Sequence, residues 1–382
     1  MTPASLWYYR LWVMTRKELL QLGRDKVILA VLVWFFLGEV YMAASGISMQ
    51  LRHASFVVMD NSNTPASREL ISRFQEPYFT FKGRVTSPEQ GLALLDQGKV
   101  MAMLDIPADL ESRLLRGEVS NVQLQMDTTN TILGTLASSY AAQIVASFAQ
   151  EQALQLQQLP PRQMEAMPSI ENRTRVWYNP NQRDPWFMGI SEMMTVITML
   201  SLMLPAAAMV REKERGTIEQ LAVSPLTPFQ ILLPKILAMG LALLIGVTAC
   251  ITFILIWQFD LPFVGSPLLF LLLTALFIFA TSGMSLFIAT IARNLGQVVM
   301  LVILILMPIL LLSGAWTPPE AMPDWLRHLM WLSPLYYYIE MGYGVLLKGA
   351  DLIDLLPNII GLTLLGTVIF LFGIWRFFRQ FE

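Results

Sequence analysis

Residues 211–221, Arg211-Glu-Lys-Glu-Arg-Gly-Thr-Ile-Glu-Gln-Leu221, decide how this chain is read, because they set a block of charge between two long apolar runs. The run before it ends at Val210 and the next begins near Ile231. Five consecutive charged residues, Arg211 to Arg215, cannot lie in hydrocarbon, so the chain is expected to leave the membrane here. Two helix-start signals follow. Thr217-Ile-Glu-Gln220 has the spacing of a capping box, and Thr227-Pro-Phe-Gln230 repeats it with Pro228 at the first helical position, where no amide is missed. Between them Ser224-Pro225 halts a helix, since the residue before proline is pushed out of the helical region. Segment 211–230 is thus expected to be a short surface helix, a rigid turn and the start of a new membrane helix. That geometry suits a lever another protein could push.

The rest of the chain agrees with a membrane setting. Of 382 residues 55% are hydrophobic and only 14% charged, against about 25% charged in soluble proteins, and the mean hydropathy is +0.53. A net charge of −2 leaves no footprint for nucleic acid. The single cysteine, Cys250, sits in an apolar run, and the two histidines, His53 and His328, are far apart, which argues against a disulfide or a His/Cys metal site. The 23 methionines suit either adaptable packing between membrane helices or a pliable binding surface.

Residues 1–25 read as an interfacial amphipathic helix over 4–24, with Arg10, Lys17, Gln21 and Arg24 stacked along one side and Trp7, Tyr8, Leu11 and Trp12 among the residues covering the remainder. Residues 26–49 form the first apolar span, Val27 to Met49. A cleaved signal peptide would have a shorter apolar core and a shorter charged leader, so an uncleaved helix is favoured. Residues 50–185 turn polar and alternate strand with helix: strands at 55–59, 78–81, 100–104 and 122–126, helices starting near Thr64-Pro65, Ser87-Pro88 and Asp109, then a long helix from Ile132 to about Gln158. This is a small α/β or α+β domain without a phosphate loop, paired-acid cleft or metal spacing.

Residues 186–382 hold five more runs, about 187–210, 231–257, 267–291, 297–314 and 357–376. With six transmembrane helices, Arg10 to Lys26, Arg211 to Arg215, Arg293, and Arg376 with Arg379 all fall on one face. By the positive-inside rule both termini are cytoplasmic and the 50–185 domain lies outside. Residues 315–356 are too polar and too interrupted by Pro318-Pro319, Pro323 and Ser333-Pro334 to span. Trp316, Trp325, Trp331 and Tyr336 to Tyr338 suit an outer interface with re-entrant pieces. Pro205 and Pro308 lie within spans and are expected to bend them.

Taken in order, these segments resemble the permease subunits of ABC-2 type ATP-binding-cassette exporters, in particular the bacterial multidrug-efflux-like branch. The resemblance is carried by Arg16-Lys17-Glu18-Leu19, Tyr178-Asn-Pro180, the 211–221 stretch continuing to Pro225-Leu-Thr-Pro228 and Lys235, Ser313-Gly314, Thr317-Pro318, Met322-Pro323 and Ser333-Pro-Leu-Tyr336. It implies an inner-membrane exporter of hydrophobic or amphiphilic compounds, built from two permease subunits (two copies or a paralogous pair) and two cytosolic ATPase subunits. ATP and Mg would be held by the ATPase, and no cofactor by this chain. Arg211, Glu212, Lys213, Glu214, Arg215, Gly216, Thr217, Glu219 and Leu221 would then form the ATPase-coupling surface, with the N-terminal helix as its second part. Relatives with a large outer domain also work beside a periplasmic adaptor and an outer-membrane channel. The residues agree on one point: no Gly-x-x-x-x-Gly-Lys-Ser/Thr loop occurs, so an ATP-driven engine must be a separate polypeptide.

Two acids interrupt the spans. Glu39 lies about 13 residues, or roughly 20 Å, past Lys26, and Glu192 sits near the start of the second span. Each is either a translocation-pathway residue that favours cationic amphiphiles or a structural group, bonded to a neighbouring helix or already near the outer headgroups. Two rival functions remain. A secondary transporter would show repeated halves, and a membrane-anchored sensor using the outer domain would carry a cytoplasmic output domain; neither feature is visible.

Overall fold

The computed structural model of the protein describes residues 3–46, 51–129, 131–156, 178–179, 183–216, 227–315, 317, 319 and 322–379. The chain forms two compact units, Met1–Ile47 with Val176–Glu382, and Ser48–Arg175. The helical unit begins with α1, Pro3–Arg24. This helix buries Glu18 and Leu22 while Tyr8, Tyr9, Trp12 and Leu20 stay exposed. Asp25 then caps α2, Lys26–Gly46, by accepting hydrogen bonds from the amides of Val27 (3.1 Å) and Ile28 (3.2 Å). The regular helix expected here is interrupted: over Trp34–Glu39 the backbone bonds slip to the wider π pattern.

The second unit is a small sheet domain. Its elements are β1 (Ala54–Asp60), α3 (Pro65–Arg73), β2 (Phe79–Arg84), α4 (Pro88–Asp96), β3 (Ala102–Ile106), α5 (Leu110–Leu115), β4 (Gln123–Met126) and α6 (Thr131–Leu156). The strands lie in the order β2-β1-β3-β4, with β1 parallel to both neighbours and β4 antiparallel to β3. The alternation of β1 explains its central place. Phe56 and Val58 join a core with Leu70 and Phe74 of the α3 side, Leu110 of α5 and Ala137 and Phe148 of α6. Val57 and Met59 face the other way, against Met103 and the α4 residues Leu94 and Leu95. The predicted strand and helix positions agree with these to within a few residues. The long helix α6 packs on the domain through Ala137, Ala141 and Phe148.

The helical unit resumes with α7, Asp184–Glu214, which is 31 residues long and continuous through Pro205. Then come α8, Pro228–Ala249, passing into a π segment Cys250–Gln258; α9, Pro267–Ile291; α10, Leu295–Leu311; the short α11, Asp324–Leu329, and α12, Pro334–Tyr343; and α13, Leu356–Phe378. Among the described residues five helices are long and apolar enough to cross a membrane, α2, α7, α8, α9 and α13. The sixth expected span, 297–314, is the 17-residue α10, about 25 Å long against a hydrocarbon core of about 30 Å. Helix α7 is the axis of the unit: 72% of its apolar stretch is buried, against 22% for α2 and for α13.

Two kinds of contact pin α9. Thr281 Oγ1 donates to Ser201 Oγ of α7 at 2.9 Å, in a fully buried position. Along α13 the backbones nearly touch: a Cβ on Gly283 would lie 2.5 Å from the Ile369 carbonyl oxygen and from Phe370 Cα. Residue 280 meets Gly366 and residue 283 meets Gly373, so α9 and α13 run in the same direction. Within 315–356 the described chain is broken into short helices, as expected. Tyr338, however, is not an interfacial aromatic. It is fully buried, stacked on Phe277 at 4.2 Å, and its hydroxyl shares a 2.8 Å hydrogen bond with Thr274. Trp325 and Trp331 do stay exposed. A tyrosine with its hydroxyl satisfied can be buried at little cost.

Candidate functional site

The charged block does not begin as a loop. Arg, Glu and Lys are good helix formers, and α7 runs through Val210 without a break until Glu214. Successive side chains on a helix point about 100° apart, so this last turn reaches in four directions. Each of its four charges binds a different neighbour.

Arg211 Nη1 lies 2.7 Å from Asp25 Oδ2, the residue that caps α2. Glu212 Oε1 lies 2.6 Å from Lys235 Nζ, two turns into α8. Lys213 donates to the carbonyl of Ala289 in the last turn of α9, where a cation is favoured by the helix dipole. Glu214 accepts from the amide of Leu295 at 3.1 Å, the first residue of α10, where an anion is favoured. The alternation of acid and base is therefore explained by what each residue touches. The beginnings of α2, α8 and α10 and the ends of α7 and α9 meet at one level.

The helix α1 enters through Lys17 and Glu18. Lys235 Nζ is 2.8 Å from Glu18 Oε1, and Lys17 Nζ is 3.1 Å from Glu18 and 3.5 Å from Glu212. Two cations and two carboxylates share one cluster. Lys235 and the side chain of Glu18 are almost wholly buried, whereas Lys17 is about half exposed. Burial alone would raise the Glu18 carboxyl, but the Lys235 and Lys17 ammonium groups outweigh it and hold the carboxyl below its ordinary value. Burial tends to lower Lys17, and Glu18 and Glu212 reverse that, leaving it raised. Asp25 is held low by the Arg211 hydrogen bond first and by the Ile28 amide next. The register of Lys235 is set at the start of α8, where Thr227 accepts from the Gln230 amide at 3.3 Å and Gln230 accepts from the Thr227 amide at 3.0 Å.

Gly216 closes α7. Its φ of 65° is left-handed, and its amide donates to the Lys213 carbonyl at 3.1 Å. Arg215 is exposed and has no carboxylate partner among the described residues. Thr217, Glu219 and Leu221 lie outside the described residues, as do the Thr217–Gln220 capping box and Ser224-Pro225. The other two candidates fall elsewhere. Glu39 ends the π segment of α2 and has one buried oxygen, Oε2, without a hydrogen-bond partner; Glu192 is half-buried in α7. The stretch of α2 around Glu39 packs on α7, the helix that carries Glu192, away from the charged cluster.

The contact that sequence reasoning missed is Glu18–Lys235–Glu212. A lone lysine in an apolar helix demands a partner, which is the signal that could have raised the question. Among the described residues no group of three or more His, Cys, Asp and Glu could hold a metal.

These features define a class: a multi-span helical membrane protein with a small sheet domain inserted after its first span and a charged hub tying its helix ends together. The chain belongs to the ABC-2 family transporter proteins, whose family model matches residues 27–375. It is 31% identical over 361 residues to the inner membrane transport permease YhhJ of Escherichia coli (strain K12), covering 94% of this chain and 95% of that one. To the probable multidrug ABC transporter permease YbhR of the same organism it is 30% identical over 352 residues, covering 90% and 92%. A more distant likeness, 21% over 347 residues, is to ABC transporter G family member 20 of Dictyostelium discoideum. The chain is thus an ABC-2 transport permease, and the resemblance read from its motifs holds.

Proposed function

We propose that the chain is the membrane half of an ATP-driven exporter that moves hydrophobic or amphiphilic compounds, drugs among them, out across the bacterial inner membrane. The ATPase is a separate subunit carrying the ATP and Mg, and two permease chains, identical or paralogous, enclose the pathway. Each chain crosses six times with both termini cytoplasmic. In this topology α10 is the fifth span and the sheet domain is periplasmic, in reach of an adaptor and an outer-membrane channel.

The observation that carries the reading is the hub at the end of α7. A force applied to one turn there reaches α1, α2, α8, α9 and α10 at once, which is what a non-hydrolysing subunit needs if a partner's closure is to move its helices together. The alternating directions expected of six spans also bring those helix ends to a single face, and α13, parallel to α9, ends on the same face. The word multidrug in the name of the relative YbhR supports drugs as cargo.

The test is ATP-dependent uptake of a lipophilic dye into inverted membrane vesicles, with the ATPase co-purified on the tagged permease. Gly216→Pro is expected to abolish uptake while the protein remains inserted. Uptake that persists without any nucleotide-hydrolysing partner overturns the proposal.

A further inference from the structure

Between α1, the first turns of α2, the last turns of α7 and the start of α8 lies a cavity of about 440 Å³, within the range of small-molecule sites. Its two ends differ in chemistry. Val27, Val31, Met203 and Ala207 make an apolar wall that follows the two span helices α2 and α7. Val27 is 73% exposed, so the wall opens sideways, towards whatever surrounds the first span. The other end is lined by Lys17, Arg211, Arg215 and Lys235 together with Glu18, Asp25 and Glu212.

The three carboxylates are already committed. Glu18 and Glu212 are held by Lys235 and Lys17, and Asp25 by Arg211. Among the described residues Arg215 is left over, one turn beyond Arg211 on the same side of α7, and their lining carries one positive charge without a counter-charge. A planar guanidinium at a polar mouth favours a phosphate, and half-exposed Lys17 offers a second donor from α1. A cation would meet no free carboxylate here among the described residues. A small soluble anion would leave the apolar wall wet.

We infer that this cavity binds an anionic phospholipid, its phosphate on Arg215 and Lys17 and an acyl chain along Val27, Val31, Met203 and Ala207. The lipid would wedge between α1 and the spans that the hub ties together. The inference needs the chain in a bilayer and nothing of what it transports, so it stands or falls apart from the proposed export.

The full-length protein, solubilised in detergent doped with equal amounts of phosphatidylglycerol and phosphatidylcholine, is read by native mass spectrometry for retained lipid. Wild-type protein is expected to retain phosphatidylglycerol over phosphatidylcholine about fivefold, the preference one cation near a headgroup supports. Arg215→Gln brings the two lipids to parity. Val31→Trp, which fills the wall, lowers retention of both, and Arg215→Gln decides alone if that variant does not insert. Arg24→Gln, an exposed cation outside the lining, keeps the preference. A preference that survives Arg215→Gln, or that Arg24→Gln removes equally, overturns the site. Inorganic phosphate protecting the protein from thermal unfolding as well as phosphatidylglycerol does would mean a soluble anion, and overturns the lipid.

Discussion

The end of α7 and the seam between α9 and α13 are two ways of joining helices, and they respond oppositely to motion. At the seam, Gly283 lets two backbones come within side-chain-free distance, and nothing there can be exchanged for anything else. At the hub, Lys17 and Lys235 share the same two carboxylates, so a partner is available on either side as the helices shift. Steric contact makes a fixed unit, while shared charge makes a joint that keeps its ions paired through a small displacement. A transport subunit needs both, rigid pieces and a place for them to hinge.

The strongest way to break this contrast is Lys235→Met. Removing the buried cation leaves Glu18 and Glu212 facing one another with only half-exposed Lys17 between them. A loss of about 3–5 kcal/mol is expected when one partner of a buried ion pair is deleted. The check is unfolding in mixed micelles followed by tryptophan fluorescence. Adding Glu18→Gln and Glu212→Gln to the same variant should restore most of that stability without restoring transport. If the triple variant transports normally, the cluster is only glue.

Gly283→Val attacks the seam instead. The new side chain would have to displace backbone atoms of Ile369 and Phe370, which cannot rotate away, and about 1–3 kcal/mol of overpacking strain is expected. No compensating charge change elsewhere should rescue it. A second-site change at the hub that did would mean the seam and the hub move as one body.

The hub should also answer to pH, where the seam should not. Glu18 is depressed below its ordinary value of 4.5, so its contribution to stability is fully present above that value and lost as pH falls through the lower folded value. Thermal melts of the detergent-solubilised protein should therefore fall in this acid window, and Glu18→Gln should flatten the slope relative to wild type. An unchanged slope would mean that Glu18 is not the titrating group.

What the sequence revealed and what it hid divide along the distance of the interactions. The strands and helices of the sheet domain were legible because side-chain alternation and the Thr64 and Ser87 starts are local signals, as is the Thr227 start of α8 in the helical unit. The charged block was legible as important, and the family motifs included Lys17, Glu18 and Lys235. Their union was not, because Glu18 and Lys235 are 217 residues apart and nothing local states which carboxylate meets which amine. The π segments at Trp34–Glu39 and Cys250–Gln258 had no sequence signal either, since an extra residue in a helical turn preserves composition and nearly preserves periodicity. Tyr338 was misplaced for a related reason: its two neighbours Tyr336 and Tyr337 share its composition, and only the Thr274 and Phe277 contacts single it out.

The smallest effect separates two roles of one residue. Asp25 caps α2 through the Val27 and Ile28 amides and pairs with Arg211, at a site where both side chains are about a quarter exposed. Asn caps a helix as well as Asp does but carries no charge. Asp25→Asn should therefore cost only the solvent-screened pair, about 0.5 kcal/mol, whereas Asp25→Ala loses the cap as well, about 1–2 kcal/mol in all. Equal losses in the two variants, measured in the same micelle assay, would mean that the cap contributes nothing and that the first span is held to α7 by charge alone. The hub would then extend to α2 on the same terms as to α8.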